Sequence, residues 1–389
     1  MSTPGPFGLP FFDDLMKLFT TDGPVNWDIA RQLAQMSASG GAPETNVDPI
    51  DRIRLEELVR VADLHVSDAT GLATSITGGV LTVRPVSRAE WALTALDHWK
   101  PLLEGLATSL GRAANPTTVD EPGTPADPST GLLGDLGAVI GPLFMSFQIG
   151  GLAGHLAQRA LGQYDPPLPR PRSDELLVVP AAIDQFASDW SLPVDDMRLW
   201  LLIHEISYHA VLGRPHVGDR LQALLLEYVS GFDPDPTGLE DKLGAFDPMR
   251  PESIQEAMGD PEALLGAVQT QAQRDLLVQI DALTAAIFGF VDHTMDTVGR
   301  KLISSYGPLT EALRRRRVEE DEATRMLGRL LGLELRQSQF ERGNAFVRGV
   351  VERAGEDGLN RLWRSERDLP TPAEIDAPGL WLARIELPD

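Results

Sequence analysis

The sequence predicts a mainly α-helical protein with at most a short strand or two. Leucine and alanine are abundant, while aromatic residues make up only 6% of the 389 residues. Apolar residues recur at helical spacing over long segments, which is typical of helices with one buried face. One short run, "ELLVVPAAI" at 175–183, has the length and valine content of a buried strand, and Pro180 interrupts it.

Capping residues and apolar periodicity place the first three helices. "VNWDIARQLAQMSA" is predicted to start at a cap formed by Asn26 or its neighbour. The second helix lies in "DPIDRIRLEELVRVADLHVSDAT", where apolar residues between 55 and 66 share one side. The third starts near Ser87, because Ser87-x-x-Glu90 is a capping-box pattern. Further helices are predicted at 132–163, 195–212, 217–232, 252–272, 275–300 and 306–330, with two shorter ones beyond.

The uncharged segment 138–158, "AVIGPLFMSFQIGGLAGHLAQ", is long enough to span a bilayer. It contains Pro142, Gln148, His155 and four glycines, and no cluster of Lys or Arg flanks it. These features favour a buried, closely packed helix pair with small residues at the contact. We expect no membrane span, and the segment is a candidate subunit contact.

Composition divides the chain into four regions. Residues 1–24 are rich in Pro, Gly and Phe and are predicted to be a flexible N-terminus. Residues 25–113 form an N-terminal helical region. Residues 114–131, "ANPTTVDEPGTPADPSTG", have almost nothing to bury and are predicted to be a linker or loop. The main domain is expected at 132–389.

The charge balance argues against binding to nucleic acid. The formal net charge of −23 repels phosphate backbones and anionic lipid surfaces. The most basic patch, "RRRR" at 314–317, is followed at once by "VEEDE". We therefore expect these arginines to stabilise a helix C-terminus and to pair with nearby acids.

The chain has no cysteine, which excludes disulfides, thiolate zinc ligands and cysteine nucleophiles. The N-terminal residues show neither a basic region nor a long apolar core, so no signal peptide is expected. A cytoplasmic location is the simplest expectation.

Residues 204–216, "HEISYHAVLGRPH", begin like the active helix of a zinc peptidase. Such helices carry two histidines four residues apart on one face, and the intervening Glu activates the metal-bound water. His204 and Glu205 fit this pattern, but Tyr208 occupies the fourth position and His209 follows one residue late. At roughly 100° per residue, His209 lies about 140° around the helix from His204. An ideal helix therefore cannot direct both imidazoles at one ion.

Three irregularities would still allow a metal site. A π-bulge between His204 and His209 would realign them. Tyr208 could bind as a phenolate after losing its proton. The helix could also end early, so that His209 or His216 comes in from a turn. Without one of these, the helix carries incidental histidines.

Several blocks of the chain occur in an order that is familiar from one protein family. They begin with "GPVNWDIARQLA" near the start and "RALGQYDPPLPR" at 159–170. The long stretch 176–205 leads into the HE-containing helix, and "RPHVGDRL" at 214–221 follows it. "GFVDHTMDTVG" at 289–299, the segment 330–363 and "LPTPAEIDAPGLWLARI" at 369–385 complete the set. In these blocks the chain resembles an actinobacterial family of zincin-like metallopeptidases that is associated with deazaflavin-coenzyme biosynthesis.

The resemblance implies a mostly helical zincin-like fold and a defined ligand set. His204 matches the first zinc ligand and Glu205 matches the general base. The second ligand position is Tyr208. A glutamate just before the Gly of the downstream block would be the third ligand, and that position is Phe288. Two of the three implied ligands are therefore altered, and a phenyl ring offers zinc no donor atom.

Two hypotheses follow for function. In the first, the chain is a degenerate zincin that lacks peptidase chemistry, binds zinc weakly or not at all, and serves as a binding or scaffold protein for a protein or peptide partner. In the second, it is an active zinc peptidase with Glu205 as base, His204 and His209 as ligands, and a third ligand from His216, Asp292 or His293. Three protein donors plus water are what a catalytic zinc requires, which favours the first hypothesis.

Overall fold

The fold is almost entirely helical. The computed structural model describes residues 23–40, 44, 46–114, 128–232, 270–319, 322–333 and 335–387, with only the helical backbone described over 112–114 and 128–140. The helices in these residues are α1 (Trp27–Ala38), α2 (Pro49–Thr70), α3 (Arg88–Ala114), α4 (Pro128–Arg159), α5 (Pro180–Asp189), α6 (Val194–Leu212), α7 (Pro215–Ser230), α8 (Gln271–Leu302), α9 (Tyr306–Val318), α10 (Glu322–Leu331), α11 (Gln337–Leu359), α12 (Pro372–Ile375) and α13 (Pro378–Glu386), with one 3₁₀ turn at Glu366–Asp368. The predicted fold class is confirmed.

The predicted caps form where the sequence placed them. The side chain of Asn26 accepts a hydrogen bond from the backbone of Ile29 at the start of α1. At the start of α3, Glu90 N–H donates to Ser87 Oγ and Ser87 N–H donates to Glu90 Oε2, which completes the capping box. These bonds satisfy backbone donors that a helix start would otherwise leave unpaired.

Two short strands form one parallel ladder. They are β1 (Thr82–Pro85) and β2 (Glu175–Val178), with Thr82 opposite Glu175. The strand predicted at 175–183 is therefore correct in place but ends at 178, because Pro180 begins α5 in the first-turn position that proline favours. Strand β1 was not predicted, because it is only four residues long and ends in a proline.

The uncharged segment 138–158 belongs to one continuous helix, so the predicted pair of helices within 132–163 is wrong. The close packing does occur, but between α4 and α1. A Cβ on Gly150 would lie 2.4 Å from the Ala30 carbonyl oxygen, and one on Gly154 would lie 2.4 Å from Ser37 Cβ. The small residues therefore let two helices approach at backbone distance.

Some predicted helices differ from the observed ones in their boundaries or lie outside the described residues. The helix predicted over 306–330 is two helices, α9 and α10. The one predicted at 252–272 lies almost wholly outside the described residues, as do most of the flexible N-terminus and the linker. Within the described part of the chain, one helix, α8, is long and apolar enough to cross a membrane, and 67% of its most apolar stretch is buried in the protein.

Helix α6 is buried on nearly every side, which is expected for a helix that is apolar all round. Helices α8 and α11 cross with backbone contact, since a Cβ on Gly289 would lie 2.2 Å from the Gly343 carbonyl oxygen. This close crossing places Phe288 of α8 against Phe340 of α11, beside the His204 region of α6.

Candidate functional site

Glu205 lies in the core at the floor of a cleft. Its side chain is 0% exposed, and its Oε2 accepts a hydrogen bond of 2.8 Å from the backbone N–H of Tyr164. Gly162 packs directly on the carboxyl group, because a Cβ there would lie 2.5 Å from Glu205 Cδ. His204 Nδ1 lies 3.3 Å from Oε1. Glu205 is thus held by a loop and by its neighbour in sequence.

His204 reaches the cleft between two aromatic rings. It stacks on Trp200 with ring centroids 4.9 Å apart and meets the edge of Tyr208 at 4.8 Å. Its side chain is 14% exposed. Because Trp200, His204 and Tyr208 follow each other at four-residue spacing, they form one stripe along α6.

The structure brings together the three positions that the family resemblance matched to zinc ligands. The ring of Tyr208 contacts His204 and also lies 6.4 Å from Phe288, edge to face. Phe288 stacks in turn on Phe340, with centroids 4.5 Å apart and ring planes 13° from parallel. The place of a metal's ligand sphere is therefore occupied by a contiguous aromatic cluster.

Tyr208 is a poor substitute for an imidazole. Burial raises the pKa of its phenol well above the usual range, and the nearby charge of Arg317 lowers it only in part. The hydroxyl therefore keeps its proton at neutral pH and is available as a hydrogen-bond donor. Phe288 is buried and carries no donor atom.

His209 lies outside the set of residues that line the cleft. Its Nδ1 is 2.9 Å from the hydroxyl of Tyr164, and only 1% of the residue is exposed. Burial lowers the pKa of His209 to about 4, with a smaller opposing effect from the charge of Asp174. Its Nε2 is buried and has no hydrogen-bond partner among the described residues. His209 is thus a neutral core histidine in this geometry.

The other candidate ligands all have different partners. His216 Nε2 is 3.2 Å from the carbonyl oxygen of Trp363, and His293 Nε2 is 3.1 Å from Glu356. Asp292 forms an ion pair of 3.1 Å with Arg317 and also accepts from Asn344.

No group of three His, Asp or Glu side chains in the described part of the chain is positioned to hold a metal. The fit to zinc fails on the donor set itself. His204 offers one imidazole, Tyr208 a protonated phenol and Phe288 nothing, whereas a catalytic site needs three donors.

The cleft has a volume of about 140 Å³, and its lining is rich in arginine. Arg159, Arg316 and Arg317 line it together with His204 and Tyr208. Sequence reasoning missed this role, because it assigned the "RRRR" run to local pairing.

That assignment is correct for Arg314 and Arg315, which pair with Glu311, although Glu311 precedes the run. It is wrong for Arg316 and Arg317, which pair with Asp165 and Asp292 from distant parts of the chain. Helical spacing offers a reason: at roughly 100° per residue, consecutive arginines cannot all face the same neighbours.

The fold is largely helical, and α6 carries the His-Glu pair that begins the active helix of zinc peptidases. The other two positions matched to zinc ligands lie close to His204. These features define a protein of the zincin class. A family model described as zincin-like metallopeptidase matches residues 25–382. The chain therefore belongs to that family.

A solved structure from Chloroflexus aurantiacus, described as a candidate hydrolase with a novel fold, is similar over 94% of this chain and 100% of its own, with a TM-score of 0.61 and 24% identity. At that identity the similarity establishes a shared fold. No curated protein matches the chain.

Proposed function

We propose that this protein is a zincin that has lost zinc-dependent peptidase chemistry and uses its cleft to bind a protein or peptide partner. One observation carries the proposal. The positions matched to the second and third ligands hold Tyr208 and Phe288, and both rings pack into an aromatic cluster around His204. The finer resemblance, to an actinobacterial subfamily associated with deazaflavin-coenzyme biosynthesis, stays a prediction.

The aromatic cluster leaves no simple route back to a metal site. Phe288 stacks on Phe340, whose ring also lies under the guanidinium of Arg317 at 4.3 Å. A positive charge beside the ligand sphere disfavours a second cation there. The shifted-ligand peptidase would need His209 to leave its contact with Tyr164 and to move around the helix, and no contact among the described residues favours that movement.

The test is to restore the implied ligands. Protein purified without chelator and without a metal affinity step is expected to contain much less than one zinc per chain. The double substitution Tyr208→His and Phe288→Glu supplies two donors beside His204, and zinc content is expected to rise towards one per chain. Zinc is measured by mass spectrometry of the purified protein, and circular dichroism verifies that each variant is folded.

The matched control places the new carboxylate elsewhere on α8. Tyr208→His combined with Phe290→Glu adds the same groups, but Phe290 is directed at Trp363, with ring centroids 5.5 Å apart. This control is expected to gain no zinc. If the unaltered protein already holds one zinc per chain and loses it in His204→Ala, the proposal is overturned. If it also cleaves peptides and Glu205→Gln abolishes that cleavage, the active peptidase replaces it.

A further inference from the structure

A second, larger groove adjoins the cleft. This groove has a volume of about 470 Å³ and shares Trp200, Leu313 and Arg317 with the cleft. The two spaces therefore lie on either side of the same three side chains. Together they fall in the size range of sites that bind small molecules or a few peptide residues.

We propose that the cleft binds the C-terminal carboxylate of a peptide and that the preceding residues of the peptide lie in the larger groove beyond Trp200. This rests on the proposed binding function and names the chemical group that the site recognises. The carboxylate takes its hydrogen bonds from the side chains of Tyr208 and Arg317.

Arg317 is a fixed cation at the junction of the two spaces. Asp292 pairs with it at 3.1 Å, and its guanidinium lies 4.3 Å from the centre of the Phe340 ring. Burial alone would lower the pKa of Arg317, but the charge and hydrogen bonds of Asp292 raise it above the usual range. Asp292 accepts one hydrogen bond from each terminal nitrogen of Arg317, so the guanidinium, which lines the cleft, keeps further N–H groups for a ligand. A side chain held in place in this way loses little entropy on binding.

The hydroxyl of Tyr208 is the second hydrogen-bond donor for the carboxylate. Among the residues that the structure describes, none hydrogen-bonds its hydroxyl, and that oxygen is not sealed in the core. Because burial raises the pKa of this phenol, the hydroxyl remains protonated and donates. A spare donor of this kind is matched by an acceptor that a ligand brings.

The cleft itself is lined by three arginines and two acids, Asp165 and Glu205, in a chain whose net charge is −23. Arg317 also lines the larger groove, where Asp292 pairs with it, so that, counted once over both spaces, five arginines face five acids. A carboxylate adds a single charge to this balanced lining, whereas a phosphate adds about 1.5 to 2 negative charges at neutral pH. The remaining walls are mostly apolar, with leucines, prolines and Phe340, so an apolar side chain next to the carboxylate is favoured.

The larger groove suits neutral peptide backbone. Its charged lining is balanced, with arginines 314, 317 and 348 and acids 292, 296 and 352. Gln337 in its wall has a buried Oε1 without a donor in the described part of the chain, so a rotation of the side-chain amide towards the groove would let this oxygen accept a peptide N–H.

The experiment compares N-acetyl-Ala-Ala-Leu as the free acid with the same peptide as its C-terminal amide, by isothermal titration calorimetry. The two probes differ only in the charged group. We expect the acid to bind at least about ten-fold more tightly, because hydrogen bonds to an ionised group are the stronger ones. Tyr208→Phe keeps the ring and removes the hydroxyl, so it is expected to weaken binding of the acid about ten-fold and that of the amide less, because the neutral amide oxygen accepts a weaker bond.

Two further variants make the test specific. Tyr228→Phe removes a hydroxyl from another buried tyrosine, outside both spaces, and is expected to change neither affinity. Arg317→Gln with Asp292→Asn removes both partners of the ion pair, so no buried charge is left alone, and is expected to abolish the preference for the acid.

Equal binding of acid and amide, no detectable binding of the acid, or an unchanged affinity in Tyr208→Phe would overturn the inference. So would displacement of the peptide by inorganic phosphate at lower concentration than by acetate, which would indicate a phosphate site. These outcomes are independent of zinc content. A chain without zinc that shows no preference for the acid refutes only the carboxylate site, whereas stoichiometric zinc in the unaltered protein refutes the loss of metal chemistry.

Discussion

His209→Asn tests whether the late histidine is a neutral core residue. The Oδ1 of asparagine can replace Nδ1 as a partner of the Tyr164 hydroxyl, which lies 2.9 Å from Nδ1. The substitution therefore keeps a buried hydrogen bond and removes the titrating ring. Burial lowers the pKa of His209 from 6.5 to about 4.

The sign and the size of the effect follow from that shift. Above pH 7 the histidine is neutral in both the folded and the unfolded chain, so it adds no pH dependence. Between pH 6.5 and about 4 the unfolded chain binds a proton that the folded chain does not. The free energy of unfolding therefore decreases as the pH falls through this window. One pKa unit corresponds to about 1.4 kcal/mol, so His209 lowers the free energy of unfolding by about 3 kcal/mol over the whole window.

Urea unfolding of the unaltered protein and of His209→Asn at several pH values between 7.5 and 4.5 measures this contribution. The unaltered protein is expected to lose about 2–3 kcal/mol more than the variant across this range. His98, whose pKa burial also lowers to about 4, cancels in the comparison, as do the carboxylates. If the difference in unfolding free energy between the two proteins is the same at every pH, the ring is not held neutral and the assignment is refuted.

Two further substitutions probe the supports of the site. Gly162→Ala places a Cβ about 2.5 Å from Glu205 Cδ and is expected to lower the free energy of unfolding by about 1–3 kcal/mol, measured by urea unfolding; a neutral result would mean that the loop moves freely. Asp174→Asn replaces a carboxylate that accepts from the backbone of residues 76, 77 and 79 and from Ser75 Oγ. These bonds hold the pKa of Asp174 well below its usual range, so its contribution is present above pH 4 and disappears as the pH falls. A loss of about 2–3 kcal/mol is expected at pH 7, while Asp189→Asn at an exposed position should change little.

Local signals predicted the helices well and the tertiary contacts poorly. Ser87 and Glu90 form their capping box within four residues, so the sequence alone determines it. Strand β1 has no such local signal, since its pairing depends on a partner almost a hundred residues away. The break between α9 and α10 was missed for a related reason, because apolar spacing continues on both sides of it.

At the candidate site too, relations within one helix were predicted better than contacts between helices. Helical spacing correctly separates His204 from His209, and the family resemblance places Tyr208 and Phe288 beside His204. The stack of Arg317 on Phe340 could not be foreseen, because the two residues come from different helices, α9 and α11, that are distant from α6 in the sequence. A basic run in a sequence gives the charge of a surface, but it does not give the direction of each side chain.

The two-stranded ladder also has a consequence for how the chain folds during synthesis. Strand β1 leaves the ribosome about 90 residues before β2, its pairing partner. Until residue 178 has emerged, the peptide groups of β1 can bond only to water or to a chaperone. The chain loses the entropy of closing this large loop before the hydrogen bonds of the pairing form. Folds with many such distant contacts form slowly for this reason. Helix α1 can pack on α4 before this point, whereas β1 acquires its neighbour only with residues 175–178, just ahead of α6.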